Sequence, residues 1–409
     1  MVGQRKGGHG SPAETVRTMT RRVIRSYHAF NFFFSLLFWA PIFYEYQKQM
    51  GLVDSEIFGI QSLYYLAFCF LELPTGFLAD KFGHRWSLRW AAFILILANL
   101  LPVFWVSFAG FLCHWFMMAV ARSLMSGSAS AYLYEFLDRE GQSEWYRKTE
   151  GRARALSLIG RVAAWSVVGP LMAWQITLPY WLTAISGVFA FLISLRLPEE
   201  ARQLNKPVVS GVWRILASTP RLWLMMSAGL TIFVLARLVQ VNLFQPILEH
   251  KGYSVTTFGL VLGLTTLFEA VGSALGDRMA EKWGELQSLI FLTVAMAVST
   301  SLLGSPGKTW AFILLSVFAL ACGLAYPIQR KLLNDAIPEP GLRATLLSVE
   351  SLLDRLFCSA MAAGVAVLMS GNRMGLALEL GGGVTLMITA VLVYSLARSV
   401  DTTEIHGKS

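Results

Sequence analysis

Apolar residues along this chain come in blocks of about twenty, separated by short clusters of charge. A helix needs about that many residues to cross ~30 Å of hydrocarbon. The blocks do not alternate polar with apolar, as a membrane-spanning strand would. Helices close their own backbone hydrogen bonds, which lipid cannot do for them. Twelve blocks, near 24–46, 56–79, 86–106, 110–137, 151–175, 179–197, 220–247, 257–280, 286–304, 309–332, 343–370 and 374–397, predict an all-α membrane protein of twelve transmembrane helices. One polar, proline-bounded stretch, PEEARQLNKPVVSGVWRILASTP at 198–220, divides them six and six. The expected organisation is an N-terminal segment 1–23, a six-helix bundle 24–197, a linker 198–219, a second bundle 220–397 and a tail 398–409.

Composition agrees, with 55% hydrophobic and only 14% charged residues, where a soluble domain carries roughly 25% charged. The net charge of +9 raises a nucleic-acid reading, which the placement of the basic residues removes. If the N-terminus is inside, the outer loops hold only Lys48, Lys251, Lys308 and Arg373, and Arg122, Arg161, Arg237 and Arg355 lie within spans. The rest of the 34 basic residues fall on the inner side. That asymmetry predicts both termini in the cytoplasm, in a bacterial inner membrane. Cys69, Cys113, Cys322 and Cys358 all fall inside spans, share no metal-type spacing and read as packing residues. No metal, cofactor or nucleic-acid partner is expected, and no cleavable signal precedes the first span.

The two halves echo each other. Residues 72–80 read ELPTGFLAD and 269–277 read EAVGSALGD, each with an acid eight residues before an Asp, then Lys81 or Arg278. A fainter echo pairs RARALSLIGR at the start of the fifth span with RATLLSVESLLDR at the start of the eleventh. Parallel repeats of this kind are one known transporter architecture.

Charge inside a bilayer costs at least ~2.5–3.5 kcal/mol at mid-depth, so such residues turn toward protein or water. Helical spacing puts Gln61, Tyr65, Cys69, Glu72, Gly76 and Asp80 on one face of the second span. Thr265, Glu269, Ser273 and Asp277 recur at four-residue steps in the eighth. The fifth carries Arg154, Ser157 and Arg161; the seventh carries Arg237 and Gln240, then Asn242 and Gln245. In the eleventh, Glu350 and Asp354 share a face and Arg355 is expected to point elsewhere. Each charge alone could be a structural ion pair between helices. Together the stripes predict a wet central path. SGSASA at 126–131 reads as close helix packing, since small residues let backbones approach.

The run GFLADKFGHRWSLR between the second and third spans, with the six-plus-six architecture, resembles the major facilitator superfamily. The motif positions are Gly76, Asp80, Gly83 and a basic pair, here His84 and Arg85. The resemblance implies two pseudo-symmetric bundles and a latch: Asp80 would meet the start of the eleventh span, near residues 342–344, when the inner side is closed. Asp277 and Arg278 would be its counterpart. Arg85 would hold the loop against Glu135 or Asp138. Arg122 resembles the fourth-span arginine linked to proton coupling, and Gly169–Pro170 resembles the Gly-Pro of the drug:proton antiporter branch.

The expected function is secondary active transport of a small organic solute by alternating access, with the proton as coupling ion. Export of an amphiphilic, anionic or zwitterionic compound comes first; proton-coupled uptake of a metabolite or metal chelate is the alternative, and a receptor that moves nothing is a third reading. Candidate proton carriers are Glu72, Glu269, Glu350 and Asp354, with Arg122 as modulator. Pocket candidates are Asn31, Arg122, Arg161, Arg237, Gln240, Glu269 and Tyr326. GSPGKT at 304–309 is two residues short of a phosphate loop, and no nucleophile elbow or zinc-protease motif is present, so no enzyme is expected. The partners are the bilayer, a small molecule and the proton, with the protein as a monomer.

Overall fold

The computed structural model describes residues 12–199, 218–305, 307–338 and 343–406. Most of the 198–219 linker therefore lies outside the described residues. Every regular element among them is helical. Eleven stretches are long and apolar enough to cross a membrane, and a first, more polar helix at Pro12–Ser35 completes twelve spans. The second, third, fifth and sixth spans are the helices Asp54–Phe82, His84–Phe104, Tyr146–Trp174 and Leu178–Leu195. In the second half the eighth to twelfth are Val255–Trp283, Glu285–Leu302, Lys308–Ala336, Arg343–Ser370 and Met374–His406.

Three spans are not continuous, where the sequence reading expected them to be. The first stops at Ser35 and resumes as Phe43–Gln49. The fourth is split into Phe108–Met125 and Ser128–Arg139. SGSASA is thus a break, not a packing seam: Gly127 sits at φ 75°, which a side chain resists. The seventh runs Pro220–Arg237, widens into a π turn over Leu238–Asn242, and ends as Phe244–His250.

The internal repeat is visible in the turns. Gly83 joins the second and third spans at φ 97°, and Gly284 joins the eighth and ninth at φ 85°. Both positions need a left-handed backbone to reverse the chain within one residue.

The halves meet along two seams, the second span against the eleventh and the fifth against the eighth. Both are tight on the side away from the chain ends. Ser62 Oγ donates to the Ser359 carbonyl at 2.9 Å and Ser359 Oγ returns to the Ser62 carbonyl at 3.0 Å. In the other seam, a Cβ on Gly169 would lie 2.1 Å from the Thr256 carbonyl oxygen, and one on Gly259 would lie 1.8 Å from that of Trp165. Only glycine permits such backbone contact. The same face is strapped by Lys48 Nζ to Glu249 Oε1 at 2.7 Å. Partial burial pulls the Lys48 ammonium down, but the hydrogen bond and charge of Glu249 outweigh it and the net direction is up.

Candidate functional site

Toward the chain ends the fifth and eighth spans part, and a cavity of about 870 Å³ opens between the halves. Its wall carries Asn31, Arg161, Gln240, Glu269 and Tyr326, and it extends to Glu150 and Arg154 near the start of the fifth span. Deeper in, a second compartment of about 510 Å³ shares Phe43, Arg161 and Trp165 with the first. Arg122, Arg237 and Arg355 join Arg161 on its wall, among Trp39, Tyr64, Tyr65, Phe68 and Trp115.

Local structure aims each guanidinium. Arg122 lies in the last turn before the break in the fourth span, and its Nη1 donates to Tyr64 Oη at 3.3 Å. Arg161 stacks 5.7 Å over the ring of Trp165, one turn on, whose Nε1 is pinned to the Leu37 carbonyl at 2.9 Å. Arg237 is the last residue before the π turn, a distortion that often marks function. Its Nη2 reaches Asp354 Oδ2 at 3.0 Å. Arg355 does not point elsewhere, as the helical spacing suggested: its Nη1 is 3.3 Å from the same oxygen and its guanidinium sits 4.3 Å over Phe68. A long flexible side chain reaches a cavity that its Cα direction misses.

The acids divide by environment. Glu269 lines the larger compartment, accepts from Gln240 Nε2 at 3.2 Å and feels the charge of Arg161. Among the described residues no cation lies within ion-pairing distance of it. Glu350 is 2% exposed and bonded to Arg330, itself a third exposed, with Gln329 Nε2 at 3.4 Å, a helix-to-helix ion pair of the structural kind that is buried at its carboxylate. Asp354, 7% exposed, is held between Arg237 and Arg355. Glu72 faces the eleventh span, where Ser351 Oγ donates to it at 3.3 Å. Cys69, one turn earlier, meets the Leu352 carbonyl at 3.6 Å, so the lower part of the second-span stripe lines a seam.

At the end carrying the termini, Asp80, Asp277 and Arg278 are exposed. The segment expected to meet Asp80 starts at Leu342, outside the described residues. Arg85 reaches the Leu197 carbonyl at 3.1 Å and Glu199 Oε1 at 2.6 Å, while His84 Nε2 is 3.3 Å from Glu135. The histidine therefore takes the acid expected of the arginine. Gly76 has open space around it, so the second span does not use it for close contact in this state.

The Major Facilitator Superfamily model matches residues 26–356, most of the chain. The chain belongs to the Major Facilitator Superfamily. Solved structures share its two-bundle fold at low identity. The nucleoside transporter NupG has a TM-score of 0.75 at 14% identity, covering 91% of this chain and 98% of its own. An auto inhibited POT family peptide transporter gives 0.72 at 11%, covering 93% and 97%. A D-xylose-proton symporter gives 0.70 at 14%, covering 92% and 97%. No curated protein sequence matches the chain. The match is to this superfamily of membrane transporters as a whole rather than to its drug:proton antiporter branch.

Proposed function

We propose that this transporter moves an organic anion by alternating access, coupled to protons, with Glu269 as the principal proton carrier. The observation that carries the reading is the deeper compartment, where four guanidinium groups meet an aromatic wall. Arginine forks match carboxylate and phosphate oxygens, and stacked rings suit a flat apolar body. The outer seams are closed and the larger cavity reaches the terminal side, an arrangement that fits an inner-open state if the termini are cytoplasmic. The distribution of basic residues supports that orientation, in a bacterial inner membrane. The transporters named among the solved structures, one of them a proton symporter, fit a coupled solute carrier.

The charge of the pocket bears on direction. An inside-negative potential drives an anion outward by about 2.3 kcal/mol per charge at 100 mV. Anion export therefore needs no proton, whereas anion accumulation does. This favours symport uptake over the antiport first expected from the fourth- and fifth-span resemblances. Proteoliposomes given benzoate and benzenedicarboxylates under imposed pH gradients test it. Accumulation driven by acid outside supports symport. Accumulation driven by acid inside restores antiport. Anion flux with no proton movement in either polarity defeats the coupling.

A further inference from the structure

We propose that the substrate carries at least two acidic groups on an aromatic body, one for each half of the protein; this rests on the reading that the deeper compartment takes an organic anion. The four arginines fall into two pairs. Arg122 and Arg161 come from the fourth and fifth spans, and among the described residues no carboxylate lies within ion-pairing distance of either. Arg237 and Arg355 come from the seventh and eleventh spans and share one carboxylate, Asp354. Four guanidinium groups line this compartment of about 510 Å³ and one carboxylate is ion-paired with them, while Glu269 and Glu72 act on Arg161 and Arg355 only from beyond ion-pairing distance. A single acidic group can pair with the arginines of one half and leaves those of the other without a ligand partner in aromatic surroundings, where uncompensated charge is costly. The donors point the same way. Nε of Arg161, Arg237 and Arg355 are each buried without a hydrogen-bond partner. They lie in both halves, so one acceptor group cannot serve them all.

Two acidic groups placed on opposite halves also give the ligand a mechanical role. Bound to Arg161 on the fifth span and to Arg237 or Arg355 across the gap, it favours the halves approaching. A ligand shifts a conformational equilibrium by its differential contacts with the two states, and a bridging dianion has such contacts. A mono-acid satisfies one pair and leaves the halves unbridged.

The test is calorimetric titration of the purified full-length protein in lipid nanodiscs at pH 7 with benzoate, benzene-1,3-dicarboxylate, benzene-1,4-dicarboxylate and benzylamine. At least one dicarboxylate should bind ten or more times tighter than benzoate. Arg161→Gln should bring that preference below threefold, and Arg122→Gln, on the same half, provides a second route if the first variant melts early without ligand. Benzoate binding as tightly as both dicarboxylates overturns the two-group proposal alone and leaves the anion reading standing. Tight binding of benzylamine with none of the acids overturns the anion reading itself. Absence of binding by all four probes overturns both.

Discussion

One methyl group on Gly259 should change which face of the protein is open. Gly259 lies on the eighth span at the closed end of its seam with the fifth. A Cβ there would sit 1.8 Å from the Trp165 carbonyl oxygen and 2.8 Å from its carbon. Both are backbone atoms, so no rotamer change relieves the clash. An ordinary carbon–oxygen contact is about 3.3 Å, so alanine requires the spans to part by about 1.5 Å. Overpacking of this kind costs about 1–3 kcal/mol. Here the cost falls on the outer-closed state, while an outer-open state, with the seam already parted, escapes it. The ratio of the two states should then move by about 5–150-fold. Gly263, one turn along, is the internal control. Its Cβ would meet Ser166 Oγ at 3.3 Å, a side-chain atom that can rotate aside. Spin labels at Gln49→Cys and His250→Cys, both exposed at the closed mouth, report its opening by pulsed electron resonance once the four native cysteines are replaced. Gly259→Ala should add a long-distance population and Gly263→Ala should not. A Gly259→Ala protein with the parent distance distribution and parent melting temperature would refute the seam as a steric latch.

The Lys48–Glu249 strap is about 40% exposed on both sides, so Lys48→Gln should cost the closed mouth only ~0.2–1 kcal/mol, and the effect should fade in 1 M salt, measured with the same label pair. The Lys48 ammonium is raised, so its contribution is complete below its usual 10.5 and is lost only as pH climbs through the higher folded value; from pH 6 to 9 this lysine should make no change in mouth opening. Glu269→Gln should abolish proton-driven accumulation yet keep anion exchange in counterflow assays, and loss of both would assign Glu269 to substrate binding instead. Glu350→Gln should keep proton coupling, whereas Arg330→Gln strands a buried carboxylate and should lower stability toward the low end of ~3–5 kcal/mol, since Arg330 is a third exposed; coupling lost in Glu350→Gln with normal melting would contradict the structural assignment. Asp80→Asn should leave the stability of this state unchanged, because Asp80 is exposed here, and should increase labelling of cysteines placed at Ser130 or Ser273 if the latch forms only when the inner side closes.

Span count and the two-bundle fold were legible because each rests on local pattern: block length, the polar stretch at the midpoint and the echo around Asp80 and Asp277. The same periodicity placed Thr265, Glu269 and Ser273 on one wall of the larger cavity, with Arg154, Ser157 and Arg161 facing it. Its failures came where geometry depends on a partner. Four-residue spacing cannot say whether a stripe faces water or another helix, so Glu72 and Cys69 looked equivalent to Gln61 until the eleventh span was seen against them. Side-chain length defeated the helical projection of Arg355. Trp165 is not among the candidates read from the sequence. In the structure it supports Arg161 and anchors the break in the first span. A tryptophan four residues after an intramembrane arginine was the available signal, since that spacing stacks ring on guanidinium.

The three interrupted spans were not legible either, and their breaks share one property: Ala40, Ser126 and Val241 beside them all line the cavity. Irregular backbone at membrane depth survives only where protein or water satisfies its polar groups. In the first span the accounting can be followed atom by atom. The Leu37 carbonyl takes Trp165 Nε1, and the Phe38 amide donates to Thr183 Oγ1 at 3.0 Å. The amides of Tyr44 and Glu45, at the start of the resumed helix, donate to Gln245 Oε1 at 2.9 and 3.2 Å, while Gln245 Nε2 donates to the Ala40 carbonyl at 3.2 Å. The first two stitches come from the same half and can persist through a rocking motion. The third comes from the seventh span, across the interface, and must break when the outer mouth opens. At that moment water enters and can replace it, so the exposed amides are never left dry. Gln245 thus bonds across the closed mouth, and Gln245→Leu should remove its stabilisation of that closure while stranding the amides of Tyr44 and Glu45. The expected result is a shift toward the open mouth, read by the same spin-label pair. A Gln245→Leu protein that stays closed would mean those amides find another partner, and the seventh-span stitch would then contribute nothing to the balance between states.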